Sequence, residues 1–191
     1  MRNQPDRTLH ILGISGSLRQ DSYNRALLHA AQAVAPAAME IDIYTIGEIP
    51  PFNADVEAEG DPEPVRAFKE SIRRADALLI ATPEYQHSIP GVLKNALDWA
   101  SRPPGKSVLQ QKPVAIMGTT TGQFGTARAQ AALRQVLAYN QMPTVMKPEV
   151  LVAEAKERFV NGRLTDEAAC KFIRQLLENL VELTLLHRQD A

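Results

Sequence analysis

Residues 10–24 read HILGISGSLRQDSYN, an apolar run followed at once by small and polar side chains. The run His10–Ser15 is typical of a buried β-strand, and the segment Gly16–Asn24 forms a loop that opens a helix at Tyr23. Four similar runs follow along the chain: Ile41–Ile46, Ala77–Thr82, Pro113–Gly118 and Thr144–Val152. Because helical stretches separate these runs, the sequence predicts an α/β fold with a doubly wound, five-stranded parallel sheet.

The central strands are apolar without alternation, as in Leu78-Leu79-Ile80 and Val114-Ala115-Ile116-Met117. This pattern is expected where helices cover both faces of a parallel sheet. The candidate helices are Tyr23–Val34, Pro64–Ala75, Gly91–Ser101, Gly125–Tyr139 and Asp166–His187. Between them, residues 47–63 are rich in proline, glycine and acid, and we interpret them as a surface loop or a mobile lid.

The last helix has an apolar stripe that predicts core packing. Its members are Phe172, Ile173, Leu176, Leu177 and Leu180, with Cys170 as a small buried side chain on the same face. Thr165 precedes two acids, Asp166 and Glu167, and is expected to cap the helix N-terminus.

Length and composition favour one domain spanning residues 1–191. The chain is 45% hydrophobic and 23% charged, with a formal net charge of −1. The absence of a basic surplus makes nucleic acid an unexpected partner. Cys170 is the single cysteine, which excludes internal disulfides and favours a reducing compartment. With neither a signal-peptide pattern nor a long apolar segment in the sequence, we expect a cytoplasmic protein with no membrane partner.

The loop after the first strand has the chemistry of a phosphate-binding site. Ser17, Ser22 and Asn24 supply hydrogen-bond donors beside a helix N-terminus, and Arg19 can neutralise a dianion. An ordinary capped turn between strand and helix is the alternative, although such a turn needs neither Arg19 nor so many donors. The loop matches neither the G-x-G-x-x-G fingerprint nor the Walker motif.

Ligands of open α/β sheets bind beyond the carboxyl ends of the strands, which directs attention to two further loops. Pro83 and Pro90 stiffen the first of them, where Tyr85 offers an apolar wall for a planar heterocycle. The second, Thr119–Gly125, offers hydroxyl groups and backbone donors, and a plain connection to the next helix stays open for it.

Together these residues resemble the NADPH-dependent FMN reductases, a family that includes bacterial quinone, azo and chromate reductases. The resemblance rests on Gly16-Ser17-Leu18-Arg19 with Ser22 and Asn24, on Pro83-Glu84-Tyr85 and Ser88-Ile89-Pro90-Gly91, on Leu93-Lys94-Asn95-Ala96 with Asp98-Trp99, and on Gly125 with Arg128-Ala129-Gln130. It implies a flavodoxin-like fold, non-covalent FMN, NADPH or NADH as co-substrate, and a homo-oligomer, either a dimer or a homotetramer. Arg128 and Glu149 are expected to lie near the subunit contacts.

The resemblance also implies the cofactor-binding residues. They are Ser17, Arg19, Ser22, Tyr23, Asn24, Pro83, Glu84, Tyr85, Gln86 and Thr120. The serines, Arg19 and Asn24 would hold the phosphate, while 83–86 and Thr120 would line the isoalloxazine ring. One position departs from the family, which usually has Asn where this chain has Gln86.

The implied activity is that of an oxidoreductase, in which NAD(P)H reduces the flavin and a quinone, free flavin or similar small acceptor reoxidises it. No catalytic side chain is required, because the cofactor carries the chemistry. His87 is interpreted as a solvated loop residue, and the other histidines are too scattered to indicate a metal site. Two alternatives stay open: a flavodoxin-type electron carrier and a redox-gated flavin-binding regulator. Arg19 and the near-zero net charge disfavour the carrier.

Overall fold

Five strands form one parallel sheet in the order β2-β1-β3-β4-β5, in a computed structural model that describes residues 7–189. The strands are β1 Leu9–Ser15, β2 Met39–Tyr44, β3 Ala77–Ala81, β4 Val114–Thr119 and β5 Val150–Val152. The chain passes from β1 to β2 at one edge and then returns to β3 on the other side of β1. The predicted flavodoxin-like fold class is confirmed.

Helices cover both faces of this sheet. They are α1 Tyr23–Val34, α2 Ala54–Glu59, α3 Glu63–Arg74, α4 Gly91–Ala100, α5 Ala127–Tyr139, α6 Ala155–Arg158 and α7 Glu167–Gln189. A short antiparallel hairpin, β6 Phe159–Val160 with β7 Arg163–Leu164, lies between α6 and α7. Among the described residues, no helix is both long and apolar enough to cross a membrane.

Strand β3 is continuously apolar in sequence because both of its faces are buried. Leu79 and Ala81 belong to the core under α1 and α7, whereas Leu78 and Ile80 belong to the core under α3, α4 and α5. Successive side chains of a strand point to opposite faces, so a strand buried on both faces has no position for a polar residue.

Two strands, β2 and β5, differ from their predicted bounds by more than one residue. β2 ends at Tyr44 rather than Ile46, and Ile46 instead packs in the core beside α3 and α4. β5 is limited to Val150–Val152, with Thr144 making only an isolated bridge to Val114. Pro148 lies between these points and has no N–H to donate to a neighbouring strand, which interrupts the pairing.

The last helix also differs from the prediction in its cap and in its apolar stripe. Asp166, not Thr165, provides the cap, because its Oδ1 accepts a hydrogen bond from the Ala169 N–H at 2.9 Å. Phe172 is 54% exposed, so its assignment to the core was wrong, while Ile173, Leu176, Leu177 and Leu180 are buried as expected. Cys170 is half-buried.

Residues 47–63 are more regular in structure than the sequence suggested. Helix α2 forms within them, and side chains of α4 bind their backbone. Asn95 donates its side-chain N–H to the Pro50 carbonyl at 2.9 Å and accepts the Phe52 N–H at 2.7 Å. Trp99 Nε1 donates to the same carbonyl at 2.8 Å. The structural role that the sequence favours for Asn95 is therefore to anchor this segment.

The buried Lys69 adds a second anchor, because its Nζ lies 2.6 Å from the Asp61 carboxylate. A buried ammonium requires such a partner, since removing a charge from water without compensation is costly. This ion pair joins the end of the segment to α3, so the segment is fastened at both ends.

Replacing Asn95 with Ala should loosen residues 50–52. The substitution leaves the Pro50 carbonyl with one donor fewer and the Phe52 N–H with none, so we expect the free energy of unfolding to fall by about 1–3 kcal/mol. Faster amide hydrogen exchange at Phe52 should accompany the loss. Lys94→Ala is the control, because Lys94 makes an exposed ion pair with Asp98 at 2.6 Å, a kind worth about 0.3–0.5 kcal/mol. Equal effects of the two substitutions would contradict the anchoring role.

Candidate functional site

The loops that follow β1, β3 and β4 meet in one cleft at the carboxyl edge of the sheet. Its lining consists of Ser17, Arg19, Ser22, Tyr23, Asn24, Pro83, Glu84, Tyr85, Thr119, Thr120 and Thr121. Every residue of the predicted site except Gln86 is in this set. Thr119 and Thr121 are additional members that the list of site residues omitted, although both belong to the third predicted loop.

The first loop combines a helix cap with an unpaired cation. The Ser22 side chain accepts the Arg25 N–H at 3.4 Å and so caps α1. Arg19 is exposed, and its guanidinium has no carboxylate partner within residues 7–189. A helix N-terminus with a free arginine attracts a phosphate strongly, because both present positive charge and N–H donors.

Asn24 has a role that the sequence did not indicate. Its side-chain N–H donates to the Thr119 carbonyl at 2.9 Å, and its side-chain oxygen accepts the Thr119 N–H at 3.0 Å. Both polar atoms of the buried amide are thus engaged inside the chain. A direct bond from Asn24 to a phosphate, as expected from the sequence, would have to use the second N–H of the amide, because the first is bonded to Thr119.

The second loop is a tight turn that presents Tyr85. Tyr85 and Ser88 exchange two backbone hydrogen bonds of 3.0 Å each, and Gln86 and His87 between them have φ values of 48° and 63°. Two central residues with positive φ are typical of a type I′ turn. The turn leaves Tyr85 49% exposed beside the cleft, where its ring can cover a planar ligand.

Glu84 ties the second loop to α5. Its carboxylate accepts the Arg128 and Ala129 N–H groups at 3.0 and 3.2 Å and pairs with the Arg128 Nε at 2.5 Å. Burial raises the pKa of this carboxyl, but the hydrogen bonds and the charge of Arg128 outweigh burial and lower the pKa below its ordinary value. Glu84 is therefore ionised at neutral pH, and its carboxylate has a structural role. Only the backbone of Glu84 is then available to a ligand in the cleft.

The third loop is fixed against the segment that follows β5. The Thr120 N–H donates to the Val152 carbonyl at 3.1 Å, and the Thr120 carbonyl accepts the Ala155 N–H at 3.0 Å. At Gly125 a Cβ atom would lie 2.6 Å from the Leu151 carbonyl carbon, and φ is +54°, so only glycine fits. These constraints hold Thr120 at the cleft.

The donor set suits FMN. At one end of the cleft stand serine donors, a capped helix and Arg19, which match a phosphate dianion. At the other end stand Pro83, Tyr85 and the threonines, which match a ring system with polar edges. The hydroxyl of Thr119 is buried without a partner among the described residues, and an unsatisfied polar group at a binding site is consistent with a missing ligand atom.

The model of one protein family, the NADPH-dependent FMN reductases, matches residues 9–157. This chain belongs to that family. It is also 50% identical over 173 residues to an NAD(P)H-dependent FMN reductase of Pseudomonas aeruginosa, covering 90% of this chain and 93% of the relative. A 2-hydroxy-1,4-benzoquinone reductase from a Burkholderia species is 45% identical over 171 residues, with coverage of 89% and 93%.

Among solved structures, the flavoenzyme NAD(P)H:(acceptor) oxidoreductase of Paracoccus denitrificans has a TM-score of 0.86 and 36% sequence identity. The similarity covers 94% of this chain and 99% of that one. The predictions of the family, of an oxidoreductase, and of FMN with NAD(P)H as its cofactors are confirmed. The contacts of individual residues with FMN stay predictions.

Substitution of Arg19 by Ala tests the phosphate end. Only FMN carries the dianion, so its dissociation constant should rise about ten- to hundredfold, whereas that of riboflavin should stay unchanged. Quenching of flavin fluorescence on binding measures both constants. Arg73→Ala is the control, because Arg73 is an exposed arginine of α3 that pairs with Glu70 at 3.5 Å. An equal loss of affinity for FMN and riboflavin would show that Arg19 does not contact the phosphate.

Gln86→Asn tests the turn of the second loop. Asn adopts positive φ more readily than Gln, so the free energy of unfolding should rise by about 0.5–1 kcal/mol. FMN affinity should be retained, because the turn offers backbone groups to the ring. Chemical denaturation and flavin titration are the measurements, with Gln110→Asn as a control outside the positive-φ positions. A stable variant with weakened FMN binding would instead assign the ring contact to the Gln86 side chain.

Proposed function

We propose that this protein is a cytoplasmic, FMN-dependent reductase that uses NAD(P)H to reduce quinones, free flavin or similar small acceptors. The observation that carries the proposal is the single cleft in which the three loops meet. It has phosphate-binding chemistry at one end and the exposed Tyr85 ring at the other. The names of the relatives, which include FMN and quinone reductases, support the same assignment.

The residues of the cleft bind and orient, and FMN supplies hydride acceptance and electron transfer when it is bound. Arg19 and the capped N-terminus of α1 would neutralise the phosphate. Tyr85 and the loop containing Thr120 would hold the ring and orient it for a planar partner. The Tyr85 and Thr120 N–H groups are bonded within the chain, so the Glu84 and Thr121 N–H groups, which make no such bond among the described residues, would be the backbone donors for the ring edge where charge accumulates on reduction.

No side-chain acid or base is required at the cleft. The Glu84 carboxylate is occupied by Arg128 and by the start of α5. His87 is exposed at the tip of the type I′ turn, in contact with bulk water. A quinone can therefore take its protons from His87 or from solvent, so His87 has at most an auxiliary role in the second half-reaction.

We also propose a homo-oligomer, either a dimer or a tetramer. Large apolar side chains are exposed around the edge strand β5, where Phe124 is 61%, Met146 65% and Leu151 39% exposed. Such clusters at an unpaired sheet edge are typical of protein contacts. Arg128, expected near a subunit interface, lies 4.3 Å from the Phe124 ring centroid while it binds Glu84 within the chain.

A steady-state and rapid-mixing experiment tests the activity. Purified protein loaded with FMN should oxidise NAD(P)H with a quinone and without any protein partner, which neither an electron carrier nor a regulator would do at speed. Because we expect NAD(P)H and the acceptor to take turns at one position between Tyr85 and residues 119–121, double-reciprocal plots should give parallel lines. Mixing with NAD(P)H alone should bleach the flavin.

Three results would count against this proposal. Failure of the purified protein to bind micromolar FMN would exclude FMN as its cofactor. Intersecting lines, with no bleaching until the acceptor is added, would mean that both substrates bind together. Turnover that depends on an added protein partner would favour the electron carrier.

A further inference from the structure

A second cavity lies next to the cleft, on the outer side of α1. Its volume is about 580 Å³, which lies in the range of small-molecule sites. The lining comes from the phosphate loop, the exposed face of α1 and the hairpin β6–β7: Arg19, Gln20, Asp21, Ser22, Tyr23, Arg25, Ala26, His29, Phe159, Asn161 and Gly162. Arg19, Ser22 and Tyr23 also line the cleft, so the two spaces adjoin.

The cavity has a surplus of positive charge. Arg19 and Arg25 both line it, against the single carboxylate of Asp21. Neither guanidinium has an ion-pair partner in the described part of the chain. Arginines commonly pair with carboxylates, so two neighbouring arginines without one are positioned for an anionic ligand, and their planar donors suit phosphate.

An aromatic wall borders another side of the same cavity, formed by the half-buried Tyr23 ring and backed by Phe159, which is 7% exposed. The Tyr23 and Phe159 rings pack with centroids 5.2 Å apart and an interplanar angle of 52°. Phe159 belongs to the hairpin, whose two-residue turn at Asn161 and Gly162 has φ values of 48° and 73°. Aromatic rings beside arginines provide a surface for a nucleobase next to a phosphate site.

The hairpin that carries this wall is fixed in place. The Thr165 N–H donates to the Arg158 carbonyl at 2.9 Å, and an ion pair joins Arg158 to Asp166, the cap of α7. The cavity is thus preformed, which lowers the cost of ordering it around a ligand.

We propose that this cavity binds the adenosine end of NADPH, with Arg25 at the 2′-phosphate and the Tyr23–Phe159 wall beside the adenine. The proposal rests on the proposed function, because a dinucleotide whose nicotinamide lies in the cleft can extend past Arg19 into the adjoining cavity. Arg19 serves the flavin phosphate, which leaves Arg25 as the cation for a second phosphate. The enzyme accordingly prefers NADPH to NADH.

Titration of the FMN-loaded protein with 2′,5′-ADP, 5′-ADP and inorganic phosphate, followed by calorimetry, tests the site without turnover. The first two ligands carry two phosphoryl groups each, but the second phosphoryl group is on the 2′ oxygen in 2′,5′-ADP and on the 5′-phosphate in 5′-ADP. We expect 2′,5′-ADP to bind most tightly. Arg25→Gln should weaken it about ten- to hundredfold and leave 5′-ADP and FMN affinity unchanged. Arg73→Gln, on the far helix α3, should change none of them.

The same variant has a kinetic signature, because kcat/KM should fall by a similar factor for NADPH and stay unchanged for NADH. The proposal is overturned if 2′,5′-ADP binds no better than 5′-ADP or phosphate, or if Arg25→Gln weakens FMN but not riboflavin, which would place Arg25 at the flavin phosphate. Tight binding of 2′,5′-ADP without any oxidation of NADPH would instead refute the proposed function, while the proposal of an adenosine-phosphate site in this cavity would stand.

Discussion

The two hydrogen bonds between the Asn24 amide and the Thr119 backbone are the constraint on which the site depends. Asn24 lies in the first turn of α1 and Thr119 ends β4, 95 positions further along the chain. Both bonds are buried, where an unpaired amide or backbone group costs most. They fix the start of α1 relative to β4, so the phosphate end and the ring end of the cleft keep one separation.

The rest of the site follows from burial of the sheet. Since helices cover both faces, a ligand can reach the strands only at their ends. Loops at such an edge need internal supports, because most of their backbone groups lie beyond the regular pairing of the strands. Glu84 supplies one support at the start of α5, and Thr120 supplies another through Val152 and Ala155. The cleft is thus assembled from loops that are each fastened to a regular element.

Hydrophobic periodicity predicted the sheet and the loops at its carboxyl edge, and the resemblance to a known family supplied nearly the whole lining of the cleft. Neither predicted the pairings that cross the fold. In sequence, Glu84 cannot be distinguished from a residue that faces the ring. Its structural role is evident only from the ion pair between its carboxylate and the Arg128 Nε. The sequence did not reveal that Asn95 anchors residues 50–52, for the same reason. Asn95 and Pro50 are 45 positions apart, and no local sequence pattern indicates that they are in contact. Phe172 was misplaced because an edge position of a helical stripe satisfies the same spacing as a central one.

Arg19 connects the two spaces around α1, and this sharing has a thermodynamic consequence. One guanidinium cannot fully neutralise two phosphates, so an anion in the cleft and an anion in the adjoining cavity compete for its charge. Arg25 relieves that competition, because it supplies a separate cation to the cavity. Any remaining coupling must be reciprocal: whatever the flavin phosphate does to the affinity of the dinucleotide, the dinucleotide does to the affinity of the flavin. If a dinucleotide occupies the cavity as proposed, a separate cation keeps this coupling small, which is a physical reason for two arginines rather than one beside the phosphate loop.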